Sequence, residues 1–313
     1  MTLLPTRDEH ISPSIPLEQS LPLTALETPV LLVDRERLDR NLEGMNRLAR
    51  ESGTRLRPHA KSHKCPALGR LQIEGGAPGL CVAKVSEGLP FLEQGMEDLL
   101  VAYPLLGTKA DILAQWAARH PDGSFAAVAD SPEGLDALGR AATREGAVLD
   151  IWLKVDVGLH RCGLAPDDPS LETLARRARH TPGLRLRGLL THAGHVYKAK
   201  PEQVPGIGRA EGELMVEAAG RLNRGGLGPL EVGLGSTPTI PFSARVEGVS
   251  EIHPGVYVFG DRQQVALGAM LPDHVSLSVL TTVVSHPAPG RWVLDAGSKT
   301  FSSDRGAHGT ELV

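Results

Sequence analysis

Residues 55–64 read RLRPHAKSHK and place His59, Lys61, His63 and Lys64 within one short run. A lysine amine withdrawn from water loses part of its preference for the charged form and becomes a nucleophile toward an aldehyde. A single lysine is ordinarily a solvated surface charge, so its companions decide the matter. KVDVGLHRCG (154–163) carries Arg161 in a loop flanked by glycines, and THAGHVY (191–197) carries His192, His195 and Tyr197. GLGSTPT (233–239) offers Gly235, Ser236 and Thr237, with the small side chains, backbone N–H groups and hydroxyls that a phosphate nest requires. EIHPGVYVFGD (251–261) adds Gly255 and Val256, where backbone can approach a ligand closely. Taken one by one, each is an ordinary surface arginine, core histidine or turn. Together they supply an amine, a cation, proton carriers and an anion cradle.

The elements that must bring them together follow from hydrophobic patterning. Strands are expected at 55–61, 79–84, 98–104, 124–130, 149–158, 184–194, 231–237 and 251–259, and most gaps between them can hold a helix. Before the first strand, Asp34 can cap a helix carrying Leu38, Leu42, Met45, Leu48 and Ala49 on one face, ended by Gly53. Strand alternating with helix calls for a parallel sheet, and eight repeats are the count of a closed (β/α)8 TIM-type barrel within the α/β class. A doubly wound open sheet is the rival, but the first strand-to-helix turn has no GxGxxG. In a barrel the C-terminal strand ends carry the chemistry, and Lys61 is placed where the first strand ends. Phosphate sites commonly follow strands seven and eight, where the Ser236–Thr237 and Gly255–Val256 segments fall.

Three segments result: an irregular N-terminal arm over 1–28, the barrel over 29–262, and a partial all-β domain over 263–313. The last is inferred from the alternation in DHVSLSVLTTVVSHPAPGRWVLDAGSKTF. SSDRGAHGTELV stops in mid-pattern, so the β-domain reads as incomplete.

Composition narrows the partners. The 313 residues are 41% hydrophobic with net charge −4, which disfavours nucleic acid and anionic membrane. Cys65, Cys81 and Cys162 make neither a disulfide framework nor a thiolate metal cluster. With no signal peptide and no apolar run long enough to span a bilayer, a cytoplasmic enzyme acting on a small molecule is the expectation.

In their order along the chain, ETPVLLVD, RPHAKSHK, KVDVGLHRCG, THAGHVY, GLGSTPT and EIHPGVYVFGD resemble the D-threonine aldolase and D-serine dehydratase family. Its members are pyridoxal-phosphate enzymes with an alanine racemase-like barrel, fold type III. The resemblance implies a PLP-dependent lyase in which Lys61 binds pyridoxal 5'-phosphate covalently and His59 and His63 border it by strand alternation with Lys61. It further implies that Arg161 meets the ring oxygen, that Tyr197 lies near the ring, and that Ser236, Thr237, Gly255 and Val256 hold the phosphate with Gly235 in the same loop. The implied reaction is retro-aldol cleavage of a D-β-hydroxy-α-amino acid such as D-threonine, with His195 as the first candidate base and His192 or His63 as the second. D-serine dehydration is the alternative, and a non-catalytic pyridoxal-phosphate homeostasis protein is the reading of another class.

The resemblance also implies a homodimer and a divalent metal, Mn2+, Mg2+ or Zn2+, whose ligands would lie beyond Val313. His286 and His308 lack partners at ligand spacing and are read as non-ligands. Alanine racemase is similar but carries an arginine where this chain has His253; an arginine beside the pyridine nitrogen weakens the ring as an electron sink, and its absence suits carbanion chemistry.

Overall fold

The computed structural model describes residues 20–301, so His308 and the expected arm up to residue 19 lie outside the described residues. Residues 33–277 form one compact unit, and residues 20–32 with 278–301 form another.

In the larger unit, helix α1 (Arg35–Ser52) begins where Asp34 accepts a hydrogen bond from Arg37 N and stops at Gly53, whose φ of 68° places it in the left-handed region. Eight parallel strands follow: β2 (Arg55–Leu56), β3 (Leu80–Val82), β4 (Asp98–Pro104), β5 (Ser124–Ala129), β6 (Leu149–Lys154), β7 (Leu184–Leu190), β8 (Glu231–Leu234) and β9 (Glu251–Ile252). Strand β1 (Val30–Val33) is not among them. Neighbours in sequence are neighbours in the sheet, β9 pairs with β2, and the parallel bridge between His59 and Cys81 closes the ring. The barrel and the place of all eight strands therefore agree with the sequence.

Helices α2 (Pro66–Glu74), α3 (Val85–Leu92), α4 (Thr108–Arg119), α5 (Pro132–Glu145), α6 (Ser170–His180) and α7 (Val204–Leu222) fill the gaps.

Side chains alternate across each strand, which divides the core in two. Leu99, Val101, Ala127, Ile151 and Leu153 face the helices, whereas Leu100, Ala126, Val128, Trp152 and Leu190 pack with Cys81 inside the barrel. By the same alternation Lys154 follows Trp152 on the inner side. At the N-terminal end of the barrel the interior is ionic: Arg57 bonds Glu251 at 2.9 Å and Asp98 at 2.6 Å, while Arg187 pairs with Glu231 at 2.8 Å. Gly188 is required where β7 meets β8, because a Cβ there would lie 2.1 Å from Glu231 O.

The strands are shorter than the patterning suggests. The chain leaves β2 after Leu56, and residues 60–62 form a 3-10 turn, so Lys61 sits two residues past the bridge at His59 rather than at the end of a seven-residue strand. Proline at position 58 removes a ladder donor, which limits the strand. Residues 263–277, expected in the β-domain, belong to the barrel's compact unit.

In the smaller unit, β1 pairs with β10 (Leu277–Leu280), and β11 (Val283–Ala288) forms an antiparallel ribbon with β12 (Arg291–Leu294). His286 stacks on Trp292 there, with ring centroids 3.9 Å apart.

Candidate active site

The strand ends open on a cavity lined by Lys61, Lys154 and Arg161 as cations, by His59, His192, His253 and Tyr197, and by the backbone and hydroxyls of Gly235, Ser236, Thr237, Gly255 and Val256. Among the described residues no carboxylate lines it, and Asp261 lines an adjoining space that shares Lys61, Arg161 and His192. Such a lining recruits an anion.

Lys61 is exposed to this space, and desolvation followed by the nearby Arg161 charge lowers its pKa. Lys154 lies deeper and is buried; desolvation pushes its pKa down to about 8, with Arg161 and Lys61 acting in the same direction. Its alternation with Trp152 along β6 is the signal in the sequence that marks Lys154 as inward-facing.

The histidines separate by their hydrogen bonds. His192 Nδ1 lies 2.5 Å from Gly235 O, which only accepts, so the proton is on Nδ1 and Nε2 carries a free lone pair. Burial, then the Lys61 charge, hold His192 well below the usual histidine range, so it is neutral. His59 accepts from Lys61 N through Nδ1 at 3.4 Å, and burial keeps it neutral as well.

His63 does not share the face of Lys61 and does not line the cavity, because the 3-10 turn rotates it away. Its Nδ1 accepts from Cys65 N at 3.0 Å, its Nε2 donates to Gln72 Oε1 at 3.2 Å, and its ring packs edge-on against Phe91 and Phe259. Both nitrogens are committed to structure. His195 also lies outside the lining: it packs beside Gly158, where a Cβ would come within 3.3 Å of its ring.

His253 stands on the cavity floor. Its Nδ1 is 2.9 Å from Cys81 Sγ and its Nε2 is 3.3 Å from Glu251 Oε1. Burial raises the Cys81 pKa, so the thiol donates to Nδ1 and the His253 proton rests on Nε2 beside the carboxylate. Burial drives His253 down to about 4, leaving it neutral despite Glu251.

A phosphate-bearing aldehyde fits this lining. The hydroxyl of Thr237 is buried with no protein partner, as an oxygen awaiting an acceptor would be, and that of Ser236 is buried beside the Tyr197 hydroxyl. At Gly255 an added Cβ would come within 2.9 Å of Ser62 Oγ and 3.1 Å of His59 O, so only glycine lets backbone face the cavity there. Pyridoxal phosphate would thus meet an accessible amine at Lys61 and an anion cradle opposite. A metal finds no matching donors: among the described residues no three His, Cys, Asp or Glu side chains are grouped to hold one.

Known proteins are similar to this chain in sequence and fold. Residues 33–263 match the family described as alanine racemase, N-terminal domain, and residues 276–313 match the putative serine dehydratase domain. The chain is 34% identical over 286 residues to the D-threo-3-hydroxyaspartate dehydratase of a Delftia species, covering 91% of this chain and 75% of that protein. It is 33% identical to the D-threonine aldolase of an Arthrobacter species, covering 93% and 77% respectively. The crystal structure of D-threonine aldolase from Filomicrobium marinum superposes with a TM-score of 0.84 at 30% identity, covering 91% of this chain and 77% of that one.

Proposed function

Because the chain belongs to the alanine racemase-type pyridoxal-phosphate lyases, in the group that holds D-threonine aldolases and D-serine dehydratases, we propose that it cleaves a D-β-hydroxy-α-amino acid by retro-aldol chemistry. D-Threonine would give glycine and acetaldehyde. The observation that carries this reading is His192: a neutral histidine with one nitrogen fixed on Gly235 O and the other unprotonated, in the cavity that holds Lys61.

Bound pyridoxal phosphate supplies the electron sink for the pair released when a bond at the substrate's α-carbon breaks. The chain's own groups do the rest. Lys61, the accessible amine, would hold the cofactor's aldehyde end. Ser236 and Thr237, with the backbone at Gly255 and Val256, would hold the phosphate. Arg161 would supply a cation to the ring, and Tyr197 and His59 would border it. His253, neutral, bonded to Cys81 and lying beside Glu251, adds no positive charge at the floor. His192 Nε2 accepts the β-hydroxyl proton, which frees the oxygen to become a carbonyl as the Cα–Cβ bond breaks, and the α-carbon then takes up a proton, from His192 or the Lys61 ammonium, to leave as glycine.

Dehydration is the second reading, favoured by the similarity to the Delftia dehydratase. The same residues would hold cofactor and substrate, Lys61 would take the α-proton, and the β-hydroxyl would leave as water. Incubation with D-threonine, D-serine, D-threo-3-hydroxyaspartate and their L-enantiomers decides between them. Acetaldehyde and glycine from D-threonine support the aldolase; pyruvate and ammonia from D-serine, without acetaldehyde from D-threonine, overturn it.

A further inference from the structure

Glu211 lies on α7 with 1% of its surface exposed and makes no ion pair within 4 Å among the described residues. Burying a carboxylate without a cation is costly, so its neighbours must explain it. Oε2 accepts from Thr239 Oγ1 at 2.6 Å and Oε1 from Ala193 N at 3.4 Å, while the Ser243 hydroxyl and the Gly235 N–H lie close enough to favour the charged carboxylate. The Thr239 hydroxyl has a second acceptor in Ser236 O at 3.1 Å.

These partners belong to two loops. Ala193 follows His192 in the segment after β7, and Gly235 precedes Ser236 in the segment after β8. His192 already bonds Gly235 O, so the carboxylate closes a second link between the same two loops from behind the cavity wall. Ionised, the carboxylate accepts from both loops at once; burial raises its pKa to about 7, and when protonated its O–H turns to Thr239 Oγ1, which then donates to Ser236 O. A glutamine keeps one acceptor oxygen of the two permanently, so the link to one side is weakened at every pH.

We propose that Glu211 is a positioning residue for the cofactor phosphate, clamping the loops after β7 and β8 so that the Ser236 and Thr237 hydroxyls are held in one arrangement toward it. This rests on the pyridoxal-phosphate reading above, and it concerns a residue that never touches the ligand.

The test compares two ligands that differ in one group. Apo wild type, Glu211→Gln and Thr239→Val are titrated with pyridoxal phosphate and with pyridoxal, which lacks the phosphate, and bound ligand is read by absorbance at equilibrium. The preference for the phosphorylated ligand is expected to fall about tenfold in Glu211→Gln, and in the same direction but less in Thr239→Val. A general loosening of the fold would weaken both ligands alike. An unchanged preference in Glu211→Gln, or in Thr239→Val should the glutamine variant not fold, overturns the proposal. Wild type that binds neither ligand overturns the cofactor assignment instead.

Discussion

Lys154 lies in the same cavity as Lys61 but beneath it, a buried amine under an exposed one, and the Lys61 charge helps hold the Lys154 pKa down to about 8. Two lysines with depressed pKa values therefore face one site, and position decides which one reacts. Borohydride reduction after pyridoxal-phosphate loading should label Lys61 in wild type. In Lys61→Ala, labelling should slow by about a hundredfold and move to Lys154. Peptide mapping that finds Lys154 labelled in wild type would reverse the assignment.

The three candidate histidines should give three different outcomes. His192→Asn keeps an amide donor near Gly235 O and removes the free nitrogen, so kcat on D-threonine is expected to fall by about 10²- to 10⁴-fold with cofactor affinity nearly unchanged. His63→Ala should lower thermal stability, by breaking the bonds to Cys65 and Gln72, and leave kcat close to wild type. His195→Ala should leave kcat within about threefold, since it lies outside the lining. A kcat loss in His195→Ala larger than that in His192→Asn would exchange their roles.

Acid should destabilise the fold before ordinary carboxylates titrate. Unfolded, His253 takes a proton near 6.5; folded, only near 4. Between those values the unfolded chain binds the extra proton, so stability falls as pH falls, by about 3 kcal/mol for this residue. His59 and His192 are depressed as well and add to the loss. Glu211 opposes it: burial raises its carboxyl from 4.5 to about 7, so the native state binds the extra proton across that window and stability falls as pH rises through it. Urea midpoints should therefore decline from pH 6.5 to 5, and more steeply in Glu211→Gln, where the offset is gone. Equal slopes in the two proteins would show that Glu211 does not titrate there.

The framework was legible because strand periodicity, helix caps and loop glycines are local signals. Asp34 and Gly53 bound α1 as their chemistry requires, and all eight barrel strands fall within the expected runs. His63 was misplaced because alternation was carried through Pro58 into a segment that turns, and no periodicity reports a 3-10 turn of three residues. Lys154 and Glu211 are hidden in the sequence for opposite reasons. The first closes an apolar strand and reads as its solvated end; the second sits in a helix where glutamates are common, and only the fold shows that its side is buried. The pairings of Arg57 with Asp98 and Glu251 span 41 and 194 residues of sequence, distances over which one sequence carries no pairing signal.

Gly188→Ala should be among the more damaging single substitutions in the barrel. The new methyl would sit 2.1 Å from the Glu231 carbonyl, and backbone cannot swing aside as a side chain can. A loss of about 3 kcal/mol is expected in urea denaturation, as for an overpacked core. A loss below about 1 kcal/mol would mean that β7 and β8 part without penalty.

The barrel's closure is uneven, and this bears on how it moves. β6 and β7 are joined through six residue pairs, whereas β2 holds β9 through two and reaches β3 through a single bridge. At that join, ionic contacts from Arg55 and Arg57 to Glu251 reinforce a ladder of few hydrogen bonds. Local opening costs least where fewest bonds are broken together. Amide hydrogen exchange should therefore run faster at residues 55–59 than in β5 or β6, and excursions of the join would carry the neighbouring Lys61 turn with them. The ring would then breathe beside its own nucleophile, and cofactor loading and release would be paced by this join rather than by the wall opposite.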